Sequence, residues 1–155
     1  MESVLVRTGS GHPLAGFSLL EMLVALAIVG ILLAVALPGY EHAVRKSTRA
    51  AARATLLDVM SRQEQFFVNN KRYASAFGAL GLPDNYYIDA QGQPAVPASA
   101  VYRIELALPG GSYDGAIAHP LNRQASDRAC MAFSLSSTGV RSVSGALESD
   151  PRACW

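Results

Sequence analysis

Gly16-Phe17-Ser18-Leu19-Leu20-Glu21 opens an apolar run that continues to Leu37, and the reading of that run decides the fold. Between Met22 and Leu37 there is no charged or strongly polar side chain. As a helix, Phe17 to Leu37 holds about 21 residues and rises about 31 Å, enough to cross a bilayer. Glu21 interrupts the run one turn in. An ionised carboxylate costs about 2.5–3.5 kcal/mol at a membrane midplane, less near the edge, and nothing local pairs with this one. A buried charge needs a partner. Cutting the chain after Gly16 makes one, because the new α-amine of Phe17 in a neighbouring copy is a cation at the depth of Glu21.

Gly16, Phe17 and Glu21, an uninterrupted apolar helix containing Gly30, and then Pro38-Gly39-Tyr40 together resemble the N-terminal signature of type IV pilins and their pseudopilin relatives. The resemblance implies removal of Met1–Gly16 by a prepilin peptidase, N-methylation of Phe17, and packing of the helices into a filament; the charge argument adds that Glu21 and the Phe17 amine set the axial register. Three plainer readings compete. A signal-anchor helix has the right length but leaves Glu21 unexplained. A secretory signal peptide cut after Ala34-Val35-Ala36 obeys the small-x-small rule, yet its apolar region is too long and Pro38 falls beside the cut. A core helix of a soluble protein is excluded, since a domain of this size cannot cover such a segment on all sides.

The 155 residues, half of them apolar, bound the chain to one small domain plus the membrane segment. The net charge of +1 survives loss of the leader, which removes one acid, Glu2, and one base, Arg7. Near-neutrality argues against bulk nucleic-acid binding but leaves room for a local basic face. The expected organisation is a leader over 1–16, a transmembrane and filament-core helix over 17–37, and an amphipathic helix with a globular domain over 38–155. The leader carries Leu14-Ala15 where the family usually has Lys or Arg, and a start near Val4 or Val6 stays open. The positive-inside rule, comparing Arg7 with Arg45, Lys46 and Arg49, taken alone puts the C-terminal part in the cytoplasm. The peptidase signature and the cysteine pair argue for the opposite: an inner-membrane protein with its domain outside, and an extracellular pilus after assembly.

Pro38 removes a helical hydrogen bond and Gly39 adds backbone freedom, so a kink or meltable point is expected there. Tyr40–Asn69 then returns to helical period, with Ala52, Leu56, Val59, Met60, Gln63, Phe66 and Phe67 on one broad face that should cover a sheet. Arg45, Arg49 and Arg53 fall at i, i+4 spacing and read as a solvated stripe. Its functional alternatives are pairing with acids of adjacent subunits or with DNA phosphates. Gly30 and Ala34, with Ala25 and Ala27, offer small residues where helices approach in lipid.

The turn residues from Gly78 to Pro97 make about Lys71 to Ser99 a long connection, with Tyr86-Tyr87 anchoring it to the core. From Val101 the period changes to two. Val101–Leu108 is one strand, Pro109-Gly110-Gly111 a turn, Tyr113–Ala118 a return strand, Cys130–Leu135 a third and Val140–Val143 a fourth. The fold class is α+β: one long helix packed on a small antiparallel sheet.

A lone pair, Cys130 and Cys154, in an exported domain reads as a disulfide rather than a metal site, because zinc wants about four ligands and His12, His42 and His119 are scattered. Closing a loop of about 25 residues stabilises by about 3 kcal/mol and should pin Trp155 to the sheet. His119-Pro120, Gln124, Asp127, Cys130, Gly139 and Cys154-Trp155 resemble the C-terminal half of minor pilins with a C-terminal Cys. No catalytic constellation stands out: Gly111-Ser112-Tyr113-Asp114-Gly115 has its serine one place away from a nucleophile elbow, and no phosphate loop is present. The sequence therefore reads as a non-enzymatic pilus subunit of the minor kind, without cofactor or metal. Its expected partners are other pilins, the prepilin peptidase, an inner-membrane assembly platform and lipid before assembly. A type II secretion pseudopilin and a filament-displayed adhesive or DNA-binding module are the alternatives.

Overall fold

The computed structural model describes residues 17–155, except for the side chains of residues 37 and 38. The leader, with the Gly16 side of the expected cut, lies outside the described residues. Helix α1 spans Leu19–Asn70, and the chain divides into two compact units after Gly39. In the first unit the large apolar side chains from Phe17 to Val35 are exposed, from 50% at Val29 to 79% at Phe17. The helical assignment continues through Pro38 and Gly39 without a break.

In the second unit α1 turns amphipathic, and Ala52, Leu56 and Val59 are 0% exposed. Gln63, on the same face, is also buried, where an unbonded amide would be costly. Its side chain solves this by donating to the Ala74 carbonyl and accepting from the Ala74 N–H, both at 2.9 Å. That pair ties the chain leaving the helix back onto it. The helix itself stops where Lys71 takes a left-handed conformation and its N–H bonds the Phe67 carbonyl at 2.8 Å, a C-terminal cap without glycine.

Five antiparallel strands form a meander in the order β1 (Tyr86–Ile88), β2 (Tyr102–Ala107), β3 (Gly115–Pro120), β4 (Phe133–Ser136) and β5 (Arg141–Val143). In β2 the alternation holds: Tyr102, Ile104 and Leu106 face the core, while Arg103 and Glu105 face water. Strand β3 puts Ala116 and Ala118 on the core side, opposite Leu106 and Ile104. Phe133 and Leu135 of β4 and Val143 of β5 complete the sheet's contribution to the core.

Three expectations need correction. The segment from Lys71 to Ser99 is not one connection, because it contains β1 and a short 3-10 turn over Phe77–Leu80. Tyr86-Tyr87-Ile88 is too short to declare a period of two, and it becomes a strand by pairing with Ile104, Arg103 and Tyr102. The third strand starts at Phe133 rather than Cys130, since Met131 is left-handed and its N–H bonds the Asp127 carbonyl. The return strand runs over Gly115–Pro120 rather than Tyr113–Ala118. A Cβ at Gly115 would stand 2.4 Å from the Leu135 carbonyl oxygen, so glycine permits the close pairing at that strand's start.

Candidate functional site

Two regions carry the features that need a functional explanation. The first is the uncovered apolar half of α1. Among the described residues Leu19, Leu20, Met22, Leu23, Leu26 and Leu32 have no core to enter, and Glu21 makes no ion pair. Such a helix, long and apolar enough to cross a membrane, needs a partner from outside the fold. Its acid, in the first turn, also suits the positive end of the helix dipole.

The second region is where the arginines of α1 meet the C-terminal part of the chain. The solvated-stripe expectation fails here. Arg49 Nε and Nη2 each lie 2.7 Å from a different oxygen of Asp127, a bidentate pair with side chains 16% and 2% exposed. The hydrogen bond to Asp127 raises the Arg49 pKa against the lowering effect of burial. For Asp127, burial pushes the carboxyl up, but the Arg49 hydrogen bond and charge, with bonds from the main chain of Cys130 and Ala129, outweigh it and hold it below the usual range. Gln124 Nε2 donates to Asp127 Oδ2 at 3.2 Å and to the Tyr102 hydroxyl at 3.1 Å. Burial in turn raises the Tyr102 pKa well above that of an exposed tyrosine.

One turn further on, Arg53 Nη1 donates to the main-chain oxygens of Cys154 and Trp155. Cys130 and Cys154 are joined as a disulfide, with Cα atoms 5.9 Å apart. Trp155 packs edge-on to Phe133 with ring centroids 5.8 Å apart, donates its indole N–H to the Ser142 carbonyl at 3.0 Å, and carries the Arg141 guanidinium 5.4 Å above its ring. The sequence reading correctly paired the cysteines and placed Trp155 on the sheet. It missed that Arg49 and Arg53 flank the buried Ala52–Leu56 face, so two of the three arginines turn inward while Arg45 stays outside. The available signal was the i, i+4 register with that face; the identity of the acid was invisible, because Asp127 is 78 residues away.

Gly145 makes the C-terminal arrangement possible. Residues 144–147 lie against 128–132, with the Gly145 N–H on the Cys130 carbonyl and the Ala146 N–H on the Arg128 carbonyl. A Cβ on Gly145 would fall 2.4 Å from the Ala129 oxygen. Among the described residues no group of three His, Cys, Asp or Glu could hold a metal ion. His119 instead faces Glu105 on the outer side of the sheet, at 3.4 Å.

The C-terminal part of the long helix thus packs on a disulfide-closed antiparallel meander, while its apolar start stays uncovered. Residues 38–134, more than half of the chain, match the family model described as type IV minor pilin ComP, DNA uptake sequence receptor. The chain belongs to the type IV minor pilin family. Residues 15–37 of this minor pilin also match the prokaryotic N-terminal methylation motif. Similar proteins include the type IV major pilin protein PilA of Myxococcus xanthus, 32% identical over 67 residues, which are 43% of this chain and 30% of that one. Another is the type IV wide pilus major component PilA4 of Thermus thermophilus, 35% identical over 65 residues, 42% of this chain and 50% of that one. The matched stretch thus spans half or less of each relative.

Proposed function

We propose that this minor pilin is a filament subunit, held in the inner membrane with its disulfide domain outside until a prepilin peptidase cuts between Gly16 and Phe17 and an assembly platform moves it into a type IV pilus. The uncovered apolar helix with its unpaired Glu21 carries this reading. In the membrane, lipid covers the helix; in the filament, helices of other pilins do. N-methylated Phe17 presents its amine to Glu21 of a neighbour, so the cost of one buried charge becomes an axial register. Pro38 and Gly39 give the helix a place to bend or melt on entering the filament. The intact mass of the mature protein tests the reading: loss of Met1–Gly16, gain of one methyl group in place of a hydrogen, and loss of two hydrogens at the disulfide. A chain still beginning upstream of Phe17 in cells with an active peptidase sinks it.

A second activity has its own support. The family's description includes a receptor for DNA, and a groove lined by Gly139, Arg141, Asp150, Arg152 and Trp155 offers two guanidinium groups beside an aromatic ring. Such a surface suits phosphates and a base or sugar face. Arg49 and Arg53, engaged within the domain, are poor candidates for phosphate contacts. Changing Arg141 and Arg152 to Gln should weaken duplex binding by the mature chain and flatten its salt dependence. An unchanged gel shift in that double variant removes this groove from consideration.

A further inference from the structure

A separate basic cavity opens between α1 and the chain that follows Asp127. It measures about 400 Å³ and is lined by His42, Arg45, Arg49, Ser126, Asp127, Arg128 and Ala129. Three guanidinium groups and one imidazole surround a single carboxylate there, and that carboxylate is already taken by Arg49. The Ser126 hydroxyl is likewise spent on the Arg123 carbonyl, at 2.9 Å. Arg128 forms no side-chain hydrogen bond or ion pair among the described residues, and its backbone is fixed by the Ala146 bond that Gly145 allows. Arg45 has only a loose contact with Glu41, 3.7 Å away with both side chains about half exposed. Such a pair contributes about 0–1 kcal/mol and is easily exchanged for a better anion. The cavity therefore presents the unpaired Arg128 guanidinium, the weakly held Arg45 guanidinium and the His42 ring around a space whose one carboxylate is already taken. That donor set matches the oxygens of one phosphate group.

We propose that this cavity holds the phosphodiester headgroup of an anionic lipid while the subunit waits in the membrane. The inference rests on the membrane stage of the function above. Its location in the chain favours a lipid. His42 comes five residues after Leu37, so no conformation of the link can carry it more than about 18 Å from the end of the apolar segment. The headgroup layer lies within that reach. A long polyanion such as DNA fits less well, because Glu41 stands at the rim beside Arg45 and also faces Arg123 at 3.9 Å. A single headgroup needs only the three donors His42, Arg45 and Arg128.

The test uses the full chain, first inserted in lipid nanodiscs and then released into neutral detergent for native mass spectrometry with equal amounts of phosphatidylglycerol and phosphatidylcholine. The expected result is preferential retention of one phosphatidylglycerol. Arg45→Gln and Arg128→Gln should each reduce the preference about fivefold. Lys71→Gln with Arg72→Gln, at the far end of α1, should leave it intact. Equal retention of both lipids overturns the inference, as does equal loss in the far-end control, which would mean diffuse charge attraction. Competition by inorganic phosphate at low concentration reassigns the cavity to a free anion, and displacement by a short duplex with the same arginine dependence reassigns it to DNA; either result overturns the lipid assignment. Failure of the chain to enter nanodiscs breaks the membrane reading itself, whereas entry without preference breaks only the headgroup site. Unchanged near-ultraviolet circular dichroism of the variants excludes misfolding as the cause of any loss.

Discussion

The two halves of α1 differ in where their partners are. From Tyr40 onward the helix supplies Ala52, Leu56, Val59 and Gln63 to a closed core, and its Arg49 and Arg53 find an acid and carbonyls in the same chain. From Leu19 to Val35 it buries nothing, although it is the more apolar half. A folded domain needs about the first kind of pattern, with one apolar stripe and a polar remainder. A helix apolar all round is built for a surrounding that the chain does not contain. The lesson is that folding and assembly are divided along one helix, so changes in the two halves should separate in their effects.

The sharpest separation is expected from Glu21→Ala. The variant should insert in the membrane and keep the thermal midpoint of its domain, yet fall at least about tenfold in sheared pili, as expected when one member of a buried ion pair is lost. Normal incorporation would erase the functional distinction between the halves. Asp127→Ala should do the reverse. It leaves the buried Arg49 charge unpaired and should lower domain stability by about 3 kcal/mol in urea unfolding. The joint replacement Arg49→Met with Asp127→Leu should recover most of that loss, because the cost lies in the orphaned charge and not in the absence of a bridge. Recovery no better than in the single variant would show that the pair contributes more than charge balance.

Removing the disulfide by Cys130→Ser with Cys154→Ser should cost about 3 kcal/mol. Because Trp155 is held on Phe133 and Ser142, its fluorescence should shift toward that of a solvated indole as the C-terminal turn loosens. Acid should act through Asp127. Its pKa is lower folded than unfolded, so the unfolded state takes up its proton first; this stabilisation is complete above the unfolded carboxyl value and is lost as pH falls through the folded one. Asp127→Asn should flatten that part of the acid limb. The smallest effect belongs to Glu41→Ala, which touches only the exposed contacts with Arg45 and Arg123 and should change stability by less than about 0.5 kcal/mol.

The elements legible in advance were those with a long or repeated pattern. The α1 core face and the alternation of Tyr102, Ile104 and Leu106 declare themselves, because side-chain direction follows backbone period. Strand β1 was hidden, since three residues carry no period and the Asp89–Gln93 loop beside it is organised by an Asp89 carboxylate accepting from the N–H groups of Gln91 and Gln93. The role of Gln63 was equally hidden, as an amide on an apolar face reveals neither its burial nor its bond to Ala74.

By itself the sequence determined that an apolar helical run extends from Phe17 to Leu37 with one acid inside it, that an amphipathic helix follows, and that the chain from Val101 alternates toward a sheet; composition and period act locally. Only the tertiary structure decided that Arg49 and Arg53 face inward to Asp127 and the last main-chain oxygens, leaving Arg45 and Arg128 to frame an open basic cavity. Those assignments depend on which strands bring positions 127, 128 and 154 beside the helix, and a charge carries no mark of its partner until the chain has closed around it.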